Sequence, residues 1–390
     1  MRTIGVVTTS RADYGVYLPV LRALRDEPGI DLGLYVSGSH LSPEFGLTVR
    51  AIEEDGFKIL ERVEVVLSSD TPQSIATSMA LGLIGFGRAF STSKPDILVV
   101  LGDRYEMLSA ALAALPFKIP VAHLFGGEQT EGAFDELLRH SLTKLSHLHF
   151  TATEEYARRV IQLGESPARV TVCGQPHLDD LTRSQKIGPH DLLERFGVDV
   201  TRPFLLVTFH PVTLEYEQAE WQIDELLAAL DVVGLPVVFT MPNADTAGRI
   251  VAEKIRAWAK SHAAVTVDTF GTDAYQAVLS HAAAMVGNSS SGIIEALSFK
   301  APVVNLGTRQ KGRARGANVI DVGHGRAEIA AGIKRAVDPK FKQSLTTVVN
   351  PYANPTGSAA ATIVRVLKNA KLGDELVRKT FHELPSMESQ

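Results

Sequence analysis

Three acidic residues stand where short apolar runs give out. Asp103 follows Ile97–Leu101, Glu128 follows Val121–Leu124 across Phe125–Gly126–Gly127, and Asp135 opens a helical stretch just beyond. In an open parallel sheet the carboxyl ends of the strands border the ligand crevice, so carboxylates distant in sequence can share one site. Buried there, a carboxyl group is raised toward neutral pH and can move protons. The same residue can also cap a loop or pair with a cation, Asp103 with Arg104 or Arg11 for example, and spacing does not separate these uses.

A second cluster suits a phosphate. Gly287–Asn288–Ser289–Ser290–Ser291–Gly292 leads into an apolar helical run. Three hydroxyls, free backbone N–H groups and the positive end of a helix converge there. A single serine would be read as a plain N-cap. The next loop adds Arg309, Lys311 and Arg313. Glu295, one turn inside the helix, can accept both hydroxyls of a ribose or remain a solvated carboxylate. His210, at a strand end before Pro211, is a candidate acid or phosphate partner. His40, His123, His140, His147 and His149 do not form a zinc spacing, and no metal is expected.

These residues need strands and helices to hold them, and the pattern supplies both. Strands are expected at Thr3–Thr9, Leu32–Val36, Val63–Leu67, Ile97–Leu101, Val121–Leu124, Leu148–Thr151 and Val170–Val172, with helices between them. Gly174–Pro203, rich in Gly and Pro, reads as a join. The alternation resumes with strands at Phe204–Thr208, Pro236–Thr240, Val265–Val267, Ala284–Val286 and Pro302–Asn305. Strands alternating with helices argue for parallel sheets covered on both faces. The expected organisation is an α/β chain of two Rossmann-like domains, residues 1–185 and 186–365, followed by a partly helical, charged tail over 366–390.

Composition narrows the function. The 390 residues exceed one ordinary core. A net charge of −5 gives no reason to expect nucleic acid. The single cysteine, Cys173, excludes an intrachain disulfide and reads as a small buried hydrophobe. No window approaches the roughly 18 apolar residues of a membrane span. The N-terminus enters a strand directly, so the expected compartment is the cytoplasm. The first strand–helix loop, Thr9–Gly15, lacks the Gly-x-Gly-x-x-Gly pattern of a bound dinucleotide, and no Walker loop is present.

With these residues in view, the chain resembles the hydrolysing UDP-N-acetylglucosamine 2-epimerases over almost its whole length. The segments that carry the resemblance are SRADYG (Ser10–Gly15), GSHLS (Gly38–Ser42), GDRYE (Gly102–Glu106), GGEQTEG (Gly126–Gly132), RHSLTKLSHLHF (Arg139–Phe150), His210–Pro211, GNSSSGIIEA (Gly287–Ala296) and GTRQKGR (Gly307–Arg313). The resemblance implies two Rossmann-like domains facing across a cleft, the GT-B architecture, with no cofactor. It implies loss of the C2 proton of a UDP-N-acetylhexosamine as UDP leaves C1, then addition of water to a glycal-type intermediate. The products are UDP and a free 2-epimerised sugar for sialic acid-like synthesis, made by a homodimer or homotetramer.

Carried over by position, Ser289, Ser290 and Arg309 would hold the UDP phosphates and Glu295 the ribose. Tyr275 would stack on uracil. Arg11 would reach the diphosphate, and His210 would assist its departure. Asp103 and Asp135 match carboxylates that face the sugar, and His40 and Arg104, inside two matched segments, join the substrate-binding set. One position departs. The sialic-acid branch reads His-x-Glu-Gly-Gly-Glu, and its first Glu moves a proton. Here the stretch is His123–Leu124–Phe125–Gly126–Gly127–Glu128, and Phe125 cannot. Glu131 is an extra residue in this loop relative to that branch. The branch acting on 2,4-diacetamido-2,4,6-trideoxy sugars has histidine where this chain has Phe125, and an apolar Phe125 suits a 6-methyl group. The missing role passes to Glu128, with Asp103 as rival. A GT-B glycosyltransferase and an inactive UDP-sugar-binding protein are the alternatives.

Overall fold

A computed structural model describes residues 1–67, 71–129, 135–179, 187–241, 248–354 and 357–384. The chain forms two compact units. The first comprises Met1–Gln129, Ala133–Asp179 and Asn354–Gln390, and the second holds Asp180–Ala353.

The first unit is built on a seven-stranded sheet in the order β3-β2-β1-β4-β5-β6-β7. Its strands are β1 Arg2–Thr8, β2 Ile30–Ser37, β3 Ile59–Val63, β4 Ile97–Leu101, β5 Val121–Leu124, β6 Leu148–Thr151 and β7 Val170–Val172. The second unit has six strands in the order β10-β9-β8-β11-β12-β13, with β8 Leu205–Thr208, β9 Val237–Thr240, β10 Ala264–Val267, β11 Ala284–Gly287, β12 Val303–Leu306 and β13 Val319–Val322. Every pairing is parallel. Central strands such as β5, β8, β11 and β12 are buried along their whole length, as helices on both faces require of apolar runs.

Both sheets reverse direction at their first strand, between β1 and β4 in one and between β8 and β11 in the other. Such a switch point opens a crevice at the carboxyl ends of the strands. The helices that follow these ends are α1 Arg11–Asp26, α4 Tyr105–Ala114 and α5 Asp135–Leu145 in the first unit, with α2 Val49–Glu54, α3 Pro72–Thr92 and α6 Glu154–Gln162 completing its helical cover. The second unit carries α7 Pro189–Phe196, α8 Ala219–Val233, α9 Gly248–Ala259, α10 Thr272–His281, the short α11 Ser290–Ile294, α12 Arg326–Ala336 and α13 Pro339–Ser344.

Three expectations need correction. The third strand is Ile59–Val63, not Val63–Leu67. It is an edge strand carrying Glu61 and Arg62, and charge on an edge blunts further pairing while hiding the strand from an apolar-run reading. The opposite edge of the second sheet, β13, contains Asp321 and escapes the pattern for the same reason. Finally, the second domain does not extend to residue 365. The helix α14, Ala359–Asn369, packs on α1 of the first unit.

Long-range capping explains that return. At the N-terminus of α14, Asp179 accepts from Ser358 Oγ at 2.8 Å, Ala359 N at 2.9 Å and Ala360 N at 2.7 Å. At its C-terminus the Arg2 guanidinium donates to the carbonyls of Leu367 and Ala370. A carboxylate at the positive end and a cation at the negative end both satisfy orphan backbone groups. In and just after α15, Asp374–Val377, the chain is strapped down again. Arg169 donates to the Leu376 carbonyl at 3.0 Å, and Lys379 reaches the Ser146 carbonyl at 2.6 Å and Glu165 at 2.7 Å.

Glu165 is the buried anchor of that strap, 1% exposed. It also accepts from Lys144 at 2.6 Å and His149 at 3.0 Å. Burial alone would raise its carboxyl, but these three donors hold it down at about 2. With the folded value below the ordinary 4.5, its stabilisation is full above that pH and fades as pH falls toward 2. Glu165→Gln should therefore cost about 2 kcal/mol at pH 7, because it removes the buried charge to which the partly exposed Lys144 and Lys379 both bond. In urea melts the gap to wild type should narrow as pH drops below 4.5. A gap that stays constant would contradict this role.

Candidate functional site

In the first unit the end of β1 is tied by one carboxylate. Asp13, 6% exposed, accepts from Thr9 Oγ1 at 2.7 Å, Ser10 Oγ at 2.9 Å, the Thr9 amide, and Thr8 Oγ1. Ser10 caps α1 by accepting from the Asp13 amide. This reciprocal cap fixes the turn from which the exposed Arg11 projects. His40 is fully buried beside it, with Nε2 3.0 Å from Thr8 Oγ1 and Nδ1 2.7 Å from Thr48 Oγ1. Burial lowers its pKa, and the Asp13 charge only partly offsets this. Its loop reaches the sheet through Gly38, at φ +59°, where a Cβ would sit 2.6 Å from the Thr9 carbonyl oxygen.

At the ends of β4 and β5 the organising group is Arg139, whose side chain is 3% exposed. It forms an ion pair with Asp103, another with Glu136 at 3.0 Å, and donates to the Glu128 carbonyl at 2.9 Å. Asp103 thus pairs with Arg139, not with Arg104 or Arg11. Arg104 instead forms a two-pronged pair with the fully buried Glu106, at 2.8 and 3.1 Å. Asp135 begins α5 close by. Burial raises its pKa, and the Asp103 charge adds to the rise against the pull of Arg139 and Arg104.

The end of β5 and the residues just after it are tied to their neighbours. His123 is buried, 2.8 Å from the Gly102 carbonyl through Nε2, and burial pushes it down to about 3, so it stays neutral. Phe125 is 7% exposed and adopts φ +67°, an uncommon conformation for a large side chain. Its amide donates to the Phe150 carbonyl at 2.8 Å. Glu128 is 8% exposed and accepts from Gln175 Nε2 at 3.2 Å. Glu131 and Gly132 lie outside the described residues.

The second unit assembles its cluster at the ends of β8, β11 and β12. Gly287 closes β11 at φ +133°, and a Cβ there would lie 1.9 Å from the Thr208 carbonyl oxygen. Ser289 caps α11, accepting from the Ser291 amide. Asn288 is fully buried. Its main-chain carbonyl accepts from Arg309 at 3.0 Å and Gln310 at 2.8 Å, and its side chain bonds the His210 backbone. Serine turn, arginine loop and His210 therefore meet at one residue. Ser289 and Ser290 stay partly accessible and Arg309 is exposed. Burial, then the Arg309 charge, pushes His210 down to about 4, leaving it neutral at pH 7.

Glu295 and Tyr275 lie behind this turn. Burial pushes the Glu295 carboxyl up to about 7. The Tyr275 hydroxyl is 2.6 Å from Ser291 Oγ, so it bonds inward to the turn while the half-buried ring packs against the core. Exposed Lys311 and half-buried Arg313 extend the basic loop.

The twelve residues given catalytic or substrate-binding roles from the sequence are all described, and they fall into these two groups. The sequence reading missed Asp13, Glu106, Arg139 and Asn288. Each sits inside a motif it quoted, but nothing in the spacing marks a residue as the one its neighbours bond. Among the described residues no group of three or more His, Cys, Asp or Glu could hold a metal ion, and no helix is long and apolar enough to cross a membrane.

This geometry yields a prediction. Asp103→Asn removes one charge that raises Asp135 and leaves Arg139 less neutralised, so the Asp135 titration midpoint should fall. Carboxyl carbon NMR of the variant would measure it. An unchanged midpoint would mean the two carboxyls do not sense each other.

The comparisons with known proteins point one way. The profile of the family described as UDP-N-acetylglucosamine 2-epimerase matches residues 22–368. The chain is 38% identical to the Escherichia coli polysialic acid biosynthesis protein P7, over 99% of this chain and 98% of that one. It is 39% identical to the Campylobacter jejuni protein named GDP/UDP-N,N'-diacetylbacillosamine 2-epimerase (hydrolyzing), over 82% of this chain and 84% of that one. In fold it is similar to the UDP-GlcNAc 2-epimerase of Neisseria meningitidis bound to UDP-GlcNAc, with a TM-score of 0.79 at 20% identity, covering 95% of this chain and all of the other.

Proposed function

The chain belongs to the UDP-N-acetylglucosamine 2-epimerase family, and on that premise we propose that it is a hydrolysing 2-epimerase of UDP-N-acetylated hexosamines. It takes the C2 proton as UDP leaves C1, then adds water to give the free 2-epimer. The observation that carries the reading is the first unit's acidic group. Asp103 is paired with Arg139, and beside it Asp135 is raised above its usual range. A carboxyl raised in this way beside an ion-paired carboxylate is placed to exchange a proton with a bound substrate. A glycosyltransferase has no use for such a pair at C2.

The second unit takes the nucleotide. Ser289, Ser290 and Arg309 hold the diphosphate, Glu295 meets the ribose and Tyr275 the uracil side. His210, neutral at pH 7, gains a proton more readily once an anion sits beside it and so can assist the leaving phosphate. Arg11, His40 and Arg104 complete the substrate set on the first unit. Glu128 takes the proton-moving role that Phe125 cannot.

The sugar we propose first is the 2,4-diacetamido-2,4,6-trideoxy compound. The relative whose name carries N,N'-diacetylbacillosamine supports it, as does an apolar Phe125, which suits a methyl at C6. Cytoplasmic location and a homodimer or homotetramer belong to the same proposal.

Purified protein should release UDP without any acceptor. Initial rates with the diacetamido sugar nucleotide, UDP-GlcNAc and the GDP counterpart of the former, measured side by side, test both base and sugar. Faster turnover of UDP-GlcNAc would remove the sugar assignment, and a strict need for an acceptor would remove the epimerase. Arg309→Ala should weaken UDP binding by about 1.5–3 kcal/mol, the usual value of a charge-assisted phosphate contact. Calorimetry that finds UDP affinity unchanged would place the phosphates elsewhere.

A further inference from the structure

We propose that Asn288 is a positioning residue that sets His210 for the departing phosphate, apart from any share in gripping the nucleotide. The inference rests on the epimerase reading for its chemistry but on the second unit's geometry for its substance. The parallel ladder between β8 and β11 ends at the pair Thr208 and Gly287. His210 lies two residues further on and precedes Pro211, which has no N–H to offer and restricts His210 to extended conformations. Past that pair the ladder has no further rungs for the His210 backbone.

Asn288 supplies them. Its Oδ1 accepts from the His210 amide at 2.8 Å, and its Nδ2 donates to the His210 carbonyl at 2.7 Å. The side-chain amide thus mimics a further rung of the ladder. A side-chain amide offers a donor and an acceptor side by side at any pH, and the reciprocal partners fix which way it points. Asn288 is fully buried, and its own amide donates to the Thr208 carbonyl at 3.1 Å. The clamp is therefore anchored on the strand that it extends.

Two functions separate by atom within this residue. The side chain holds His210. The main-chain carbonyl holds Arg309 and Gln310, and that carbonyl survives any substitution. Removing the side chain should disturb the histidine and spare the arginine loop.

The test is Asn288→Ala. A misplaced catalytic group can cost ~100-fold, so kcat should fall by that order. UDP affinity should change by less than ~3-fold, because its groups keep their supports. The loss should not add to that of His210→Ala: the double variant should be no slower than His210→Ala alone. A loss that appears in UDP affinity with kcat kept, or one that adds fully to His210→Ala, would overturn the proposal. Should Asn288→Ala fail to fold, Asn288→Asp keeps the acceptor for the His210 amide and loses the donated bond, and it should slow turnover in the same way, less severely. Hydrogen exchange of the His210 amide needs no substrate; it should speed up in Asn288→Ala, which removes the acceptor, and stay slow in Asn288→Asp, which keeps it. Exchange in Asn288→Ala as slow as in wild type overturns the clamp regardless of activity. A wild-type protein with no turnover on any nucleotide sugar removes the functional reading instead, and the exchange result still decides the clamp.

Discussion

A buried guanidinium governs the first unit. Arg139 lies almost wholly out of water, and an unpaired cation there would cost several kcal/mol. The chain must therefore bring anions and carbonyls to it. Asp103 comes from the end of β4, the Glu128 carbonyl from the loop after β5, and Glu136 from α5 itself. Three segments that sequence keeps apart are fixed around one planar fork of donors. The arrangement also sets the charges. Asp103 is held as an ion-pair partner, and its charge, added to burial, keeps the neighbouring Asp135 above the ordinary range. The site chemistry is thus a consequence of a packing problem and its solution.

The second unit meets the same demand with neutral groups. Its strand order repeats that of the first through six strands, and its site residues again gather at the strand where the order reverses. Here an asparagine links the loops, through a carbonyl shared by Arg309 and Gln310 and an amide bound to His210. The hub itself brings no negative charge to the serine turn or the arginine loop. That suits a site for a doubly charged ligand, whereas the first unit's network suits moving a proton.

Much of this was legible in the residues. Central strands are continuous apolar runs because both their faces are covered, so β4, β5, β8 and β11 could be read almost to the residue. The acidic residues at strand ends and the serine turn stood out by type and position, although ion pairing and helix capping use the same residues in the same places. The rest was hidden for physical reasons. β3 and β13 are edge strands whose charged residues break the apolar run. The return of α14 to the first unit depends on Asp179 and Arg2, more than 170 residues away in sequence. Arg139 looked like any helical arginine, since its partner Asp103 lies 36 residues earlier. Asn288 was read as one polar residue of a serine-rich turn, while its side chain serves a different strand.

The acidic group around Arg139 is proposed to exchange the C2 proton of the sugar with solvent. Turnover in heavy water, followed by NMR or mass analysis of the free sugar, tests it most directly. The account predicts one deuterium at C2 of each sugar released. Release of UDP with protium retained at C2 would contradict it.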